Sequence, residues 1–447
     1  MESIQEDRIQ GKLAPQSIIE GEKQLPDKSF RLNEDNKRTL EEEEGKYRVD
    51  SAYAWLMVFS GFLLNFMTFG TLSIYGVFLA HYTKFEFVGE GGDFLSIIGG
   101  VGPCLFALSS LPSGILVAKL GFKFNIFSAV ILFSGGLIAA SFGKALWHIL
   151  IGQAILVGAS VGLCFIPSVS IVPQWFVKYR GLAVGLTASG SGVGGLILAP
   201  LMQSIIDSLG WRWALRILAI IGAVVISFAG VILKQRVAFQ QPKQLIDRDI
   251  LTDLRFIAMW MYGVTACFGF WAPFFVIPLY CNYQGISPTT ASIIVGVMNA
   301  GSAIGRVGNG QIASYFGNIN TLLVSHLLTS LSFLLVWNFA TQVWSIAIFA
   351  LLYGLFSSAF FPVSTLIAAQ LFGLEKLAKV NGPFFTCCAP GNLLCTFIVT
   401  LIVAKHTDGS YINYFPCFVY LFGCYLASTI CLIWLKFHVN RKPLAKV

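Results

Sequence analysis

PQWFVKYRGLAVGLTASGSGVGGLILAP, residues 173–200, sets a charged turn, Lys178-Tyr179-Arg180, between two long apolar runs. The second run carries Gly185, Gly190, Gly192, Gly194 and Gly195. In water each glycine inside a helix costs about 1 kcal/mol relative to alanine. In a bilayer, helices associate by close backbone approach, which small residues permit. The stretch predicts a basic cytoplasmic turn followed by a membrane helix with a small-residue packing face.

The flanking sequence has the composition such a helix needs. Hydrophobic residues make up 56% of the 447-residue chain. Residues 1–50 differ in kind, with nine Lys/Arg, thirteen Asp/Glu and the run Glu41 to Glu44, and they read as a disordered cytoplasmic tail. No basic segment leads into an apolar core near Met1, so no cleavable signal peptide is expected. The remaining chain holds only nine acids against twenty-one Lys/Arg, which points to a polytopic membrane protein. Apolar runs of spanning length fall at about 52–82, 93–118, 124–143, 146–173, 181–208, 213–235, 253–283, 288–314, 319–339, 342–371, 377–404 and 412–437. They predict an all-α protein with twelve transmembrane helices: a six-helix bundle over 51–235, a cytoplasmic linker over 236–252, a second bundle over 253–437 and a short basic tail over 438–447.

Orientation follows from the loops. With a cytoplasmic N-terminus, fifteen Lys/Arg fall on the inner side and five, Lys84, Lys144, Arg212, Arg216 and Lys405, on the outer side. The positive-inside rule therefore predicts both termini in the cytoplasm. The net charge of +8 is the charge of these loops and carries no nucleic-acid signal. All ten cysteines lie inside predicted helices, where they read as small apolar residues rather than as a disulfide framework, metal site or redox motif.

Sliding the chain on itself by 196 residues brings Gly114 onto Gly310, Gly121 onto Gly317, Gln174 onto Gln370 and Phe176 onto Phe372. A period spanning six helices predicts two bundles in parallel relation.

The opening stretch also carries a resemblance. Trp175-Phe176, Lys178, Tyr179-Arg180, Leu182-Ala183, Gly185 and Ala188 to Gly190 resemble the second signature of the monocarboxylate transporter family, within the major facilitator superfamily. Asp50-Ser51-Ala52-Tyr53-Ala54-Trp55 resembles its first signature, departing at Ser51, where the family usually has glycine. Fungal members look most similar. Gly114 to Lys123, with Lys119 and Gly121, resembles the superfamily's loop between helices two and three, and Gly310 to Gly317 is its counterpart. The loop's acidic position is Ala118 here, so the charge relay that latches the bundles is partly missing. The resemblance implies the twelve-helix fold, alternating access, and a conformational role for these motif residues.

A charge at mid-helix costs about 2.5–3.5 kcal/mol on insertion scales, so one that persists has a partner or a function. The nine acids after residue 50 all map to loops or helix ends. Arg306, in GSAIGRVGNG, is the one strong charge well inside a predicted span, and its planar fork suits a carboxylate or phosphate. It matches the family's helix-eight arginine, implicated in anion binding. Where coupled animal members carry an aspartate and a helix-one lysine, this chain has Ser302 and Ser73. Further substrate-binding candidates lie on the helices that line the cavity in this architecture: Asn65 and Phe69 on helix one, Trp271 on helix seven and Phe361 on helix ten. His326, the one mid-span histidine, falls on a helix that is usually peripheral and reads as packing.

No phosphate loop, paired membrane carboxylates or Ser/His/Asp constellation is visible, so neither an enzyme nor an ATP-driven pump is expected, and no cofactor or metal. The sequence predicts a secondary transporter for a small organic anion, monocarboxylate or related metabolite, weakly coupled to protons. The alternatives are a facilitator of an aromatic, vitamin-like solute such as riboflavin, and a membrane sensor, which usually adds a long signalling tail. The implied partners are a small-molecule solute and the lipid bilayer; an accessory subunit leaves no trace in the sequence. The plasma membrane is the expected location, with a vacuolar or other internal membrane as the alternative. The topology is tested by labelling Ser410→Cys with an impermeant thiol reagent in intact cells. Labelling from outside is expected; labelling from the cytoplasmic side only would overturn the assignment.

Overall fold

A computed structural model describes residues 48–86, 92–237, 248–408 and 411–440. Residues 1–47 of the expected tail, much of the linker and the last seven residues lie outside that set. Twelve helices are long and apolar enough to cross a membrane. In chain order they are α1 (Ala52–Leu79), α2 (Ile98–Leu120), α3 (Phe122–Ser141), α4 (Leu146–Trp175), α5 (Arg180–Leu209), α6 (Trp211–Ile232), α7 (Leu254–Tyr283), α8 (Thr290–Phe316), α9 (Asn318–Phe339), α10 (Val343–Phe372), α11 (Leu377–Lys405) and α12 (Phe415–Val439). Among the described residues the one pairing of extended segments is Thr407–Asp408 with Tyr411–Ile412, each two residues long, between α11 and α12. The linker ends in a single helical turn, Arg248–Leu251, and Asp253 then caps α7 by accepting from the Arg255 amide.

In hydrocarbon every backbone polar group must be satisfied within the helices, so the chain turns only where a residue can leave the helix without loss. Gly121 and Gly317 do this at positive φ, +84° and +93°, between α2 and α3 and between α8 and α9. Their equivalence at the 196-residue offset is the repeat in its simplest form.

The spans are not straight. α7 breaks between Phe270 and Ala272, where Pro273 supplies no N–H to Gly269. α1 breaks at Ile74 without a proline. There Ser73 Oγ donates to the Phe69 carbonyl at 2.9 Å, a back-bond that bends helices. Ile74 and Trp271, the two break points, are 197 residues apart, one residue off the repeat. α10 and α11 are interrupted as well, near Ser358 and Thr386.

Within the bundles, buried hydroxyls and amides tie helices together. Ser60 Oγ donates to the Ala229 carbonyl, joining α1 to α6, and Asn125 Nδ2 donates to Ser113, joining α3 to α2. His326 is fully buried with its Nδ1 2.8 Å from Ser428 Oγ, joining α9 to α12, in keeping with its reading as packing. All ten cysteines are free thiols.

The contact between bundles runs along α5 and α8 on one side and α2 and α11 on the other, and it is built from glycine. A Cβ on Gly181 would overlap the Gly310 carbonyl oxygen, and one on Gly310 the Gly181 oxygen. Gly185 meets the Arg306 carbonyl in the same way. The pseudo-symmetric contact pairs Gly114 with Ala378 and Gly382; a Cβ on Gly114 would stand 2.5 Å from the Ala378 oxygen. Hydrogen bonds cross the same boundary from Ser110 Oγ to the Gly382 carbonyl (2.8 Å), from Asn381 Nδ2 to Ser170 Oγ (3.3 Å) and from Asn392 Nδ2 to the Pro103 carbonyl (2.9 Å). α5 also packs inward: Gly190 and Gly194 lie against the α1 carbonyls of Phe62 and Phe66.

Overpacking a tight contact costs about 1–3 kcal/mol. Gly310→Val is therefore expected to cut transport at least about tenfold, by disfavouring the state in which the faces touch, with normal membrane insertion. Gly308→Val, two residues away and facing open space, is expected to be neutral. Equal transport by both variants would contradict the close contact.

Candidate functional site

Where the two breaks face one another, the bundles enclose a cavity. α1 contributes Phe69 and Ser73, α5 Ser191 and Gly192, α7 Phe270, Trp271 and Phe274, α8 Asn299, Ser302 and Arg306, and α10 Phe361. The free space is about 20 Å³, room for little more than one water molecule. A solute enters this site only when the surrounding helices part.

Arg306 is the charge of the site. It is buried, at 7% exposure. Its Nη1 donates to the Ala188 carbonyl at 3.1 Å, its Cζ lies 5.2 Å from the centre of the Phe361 ring, and its Nε has no acceptor. Among the described residues the ion pairs are Arg212 with Glu86 and Arg255 with Asp253, and neither reaches this cavity. A guanidinium has five donors in a plane, and a cation left without a counter-ion in a dry site is poorly compensated. The unsatisfied Nε of Arg306 leaves a donor in the cavity able to meet an acceptor.

A cluster of rings shares the lining with the guanidinium, which lies over one of them, Phe361. Phe69 meets Phe361 edge-on at 5.7 Å, Phe361 meets Phe270 at 5.4 Å, and Trp271 lies 5.3 Å from Phe274. Ser73, Ser191, Asn299 and Ser302 supply the uncharged polar groups of the lining. The arrangement sets one cationic fork among apolar rings and small polar side chains.

Of the substrate-binding candidates read from sequence, Arg306, Phe69, Trp271 and Phe361 converge on this cavity. Asn65 is not among its lining residues: it is buried between α1 and α4, with Nδ2 donating to the Gly61 carbonyl at 2.8 Å and to Ser168 Oγ at 3.2 Å. Ser73 and Ser302, noted in the sequence only as departures from a family pattern, both line it, as do Ser191 and Asn299, which the sequence reading passed over. Polar residues at one register of α5 and α8 were the signal available for that pair.

The two signatures dock on each other at the turn between α4 and α5. Asp50 adopts positive φ, +56°, and its carboxylate accepts from the amides of Val177, Lys178 and Tyr179 at 3.1–3.3 Å. Its own amide donates to the Trp175 carbonyl at 2.9 Å. Trp55 packs edge-on against Phe176 and lies 6.2 Å from Tyr179. Three backbone N–H groups thus converge on the Asp50 carboxylate at the turn between α4 and α5. Ser51, the departure from the family pattern, caps α1 by accepting from the Ala54 amide. Arg180 spends its Nε on the carbonyls of Pro173 and Phe176, closing the end of α4, whereas Lys178 and Lys119 are exposed. Gly114, Gly185 and Gly310 form the bundle contact, and Gly121 and Gln174 the turns beside it; Gln174 Oε1 accepts from the amides of Arg236 and Val237.

A family model described as Major Facilitator Superfamily matches residues 57–394 and 259–446. The chain is 28% identical over 361 residues to the MFS-type transporter pynF of Aspergillus niger, covering 80% of this chain and 83% of that one. It is 27% identical over 404 residues to Probable transporter MCH2 of Saccharomyces cerevisiae, covering 86% and 82%. Its fold is similar to that of the human organic anion transporter MFSD10 (TETRAN), with a TM-score of 0.66 at 14% identity over 84% of this chain and 98% of that one. With twelve apolar helices in two bundles, and a family match spanning both, the chain belongs to the major facilitator superfamily of membrane transporters.

Proposed function

We propose that this transporter is of the monocarboxylate transporter type and moves a small organic anion by alternating access, without strong coupling to protons. The observation that carries the reading is Arg306, a buried guanidinium on the cavity wall with an unpartnered Nε and no carboxylate beside it. A substrate carboxylate would supply the missing counter-charge, and the rings of Phe69, Trp271 and Phe361 would cover its apolar part. The glycine contacts between α5 and α8 and between α2 and α11 serve as the surfaces that close and part. The loop charges support both termini in the cytoplasm, and the plasma membrane is the proposed location, with a vacuolar or other internal membrane as the alternative.

Weak coupling rests on what lines the cavity. A proton-coupled carrier needs a titratable group that substrate and proton share. Ser73 and Ser302 stand in this cavity where coupled relatives carry lysine and aspartate, and no Asp, Glu or His is among its lining residues. A second reading, a neutral aromatic solute of the vitamin class, is favoured by the five rings that share the lining with Arg306.

Uptake of labelled monocarboxylates and of flavins in a transport-deficient cell separates the two readings. For the anion reading, Arg306→Lys is expected to lower uptake by about ten- to a hundredfold at unchanged membrane abundance, because a point charge cannot reproduce the fork. Wild-type uptake by that variant would sink the assignment. Uptake at matched external pH is expected to change little when a protonophore is added. Concentrative uptake that collapses with the proton gradient would mean a coupling group exists elsewhere in the protein.

A further inference from the structure

A second cavity, of about 300 Å³, lies where α1, α5 and α6 end, and the transport site does not use it. Its walls include His81, Glu86, Trp211, Arg212, Trp213 and Arg216. α5 is a 30-residue helix, so this cavity stands ~45 Å along it from Arg180 and the signature turn. That distance exceeds the hydrocarbon thickness and puts the cavity at headgroup level on the opposite face of the membrane.

The chemistry of the walls is that of an anion site. Arg216 donates through Nε to Ser141 Oγ at 3.1 Å and lies 4.5 Å from the Phe142 ring and 5.0 Å from the Trp213 ring, contacts that fix its plane. Arg212 lies over the Trp211 ring at 4.3 Å, donates through Nη2 to the Gly143 carbonyl at 3.5 Å and meets Glu86 through Nη1 at 3.6 Å, both of them long contacts. Trp211, 2% exposed, carries an indole N–H with no acceptor. α6 begins here at Gly210 with no side-chain cap, so its first amides add to the positive field. Trp213 and Leu209, both more than half exposed, form an apolar rim.

We propose that this cavity binds the phosphate of an anionic phospholipid in the leaflet opposite the signature turn. The two guanidiniums take the phosphate oxygens, Trp213 and Leu209 meet the upper acyl chain, and Glu86 competes with the phosphate for Arg212. The apolar rim favours a lipid over a free anion, since a solvated ion gains nothing from it.

Native mass spectrometry of the purified full-length protein, offered phosphatidylglycerol or phosphatidylcholine, tests the assignment. The wild type is expected to retain phosphatidylglycerol about tenfold better, and Arg212→Gln/Arg216→Gln to lose that preference. The corresponding double Lys variant is expected to keep most of it, and Glu86→Gln to increase it. A wild type without preference, or a double Gln variant that keeps it, overturns the proposal. Should the double Gln variant fail to fold, Glu86→Gln decides: retention no higher than wild type overturns it. In a separate arm, inorganic phosphate is added to lipid-free protein. Thermal stabilisation that disappears in the double Gln variant would assign the site to a free anion and overturn the lipid.

Discussion

The structure depends on backbone laid against backbone. In hydrocarbon there is little hydrophobic force to press helices together, and association rests on close van der Waals contact. Gly181 and Gly310 meet with no side chain between them, and Gly114 meets Ala378 and Gly382 in the same way at the related position. Contacts of this kind form over a short distance and are lost when the helices shift by a fraction of an ångström. They are suited to surfaces that must close firmly and open again without breaking ion pairs.

Beside this apolar closure stands one charge that the protein leaves incompletely compensated. Arg306 takes a carbonyl from α5 and a ring from α10, so it touches both bundles while keeping part of its fork unengaged. Its own carbonyl is the atom against which Gly185 packs. The group proposed to sense the solute and the glycine face that seals the bundles are therefore one residue's two ends. A solute that draws the guanidinium from Ala188 acts directly on the contact between α5 and α8, and this gives binding a route to the conformation that a remote pocket would lack.

The docking of the two signatures has a different role. Asp50 satisfies three amides that the turn between α4 and α5 would otherwise leave bare, and Arg180 satisfies carbonyls at the end of α4. Together they fix where α5 starts, and so the register of every glycine along it. A helix of 30 residues whose packing face is made of glycine has few side chains to hold its rotation, and the turn supplies that hold.

The sequence by itself determined the number of helices, their order, the parallel repeat and the importance of the glycine run, because apolar length and loop composition are local properties set by the bilayer. It also singled out Arg306, since a charge within a span is conspicuous in the chain alone. The tertiary structure decided what those residues touch. Asn65 and Phe69, one turn apart on α1, part company because Ser168 of α4 takes the amide while the ring reaches Phe361 across the bundle boundary. Ser73 and Asn299 became lining residues only when two helix breaks, one from a proline and one from a serine back-bond, were brought face to face. Such placements depend on contacts between residues 103 to 292 positions apart, and hydropathy along the chain holds no record of them.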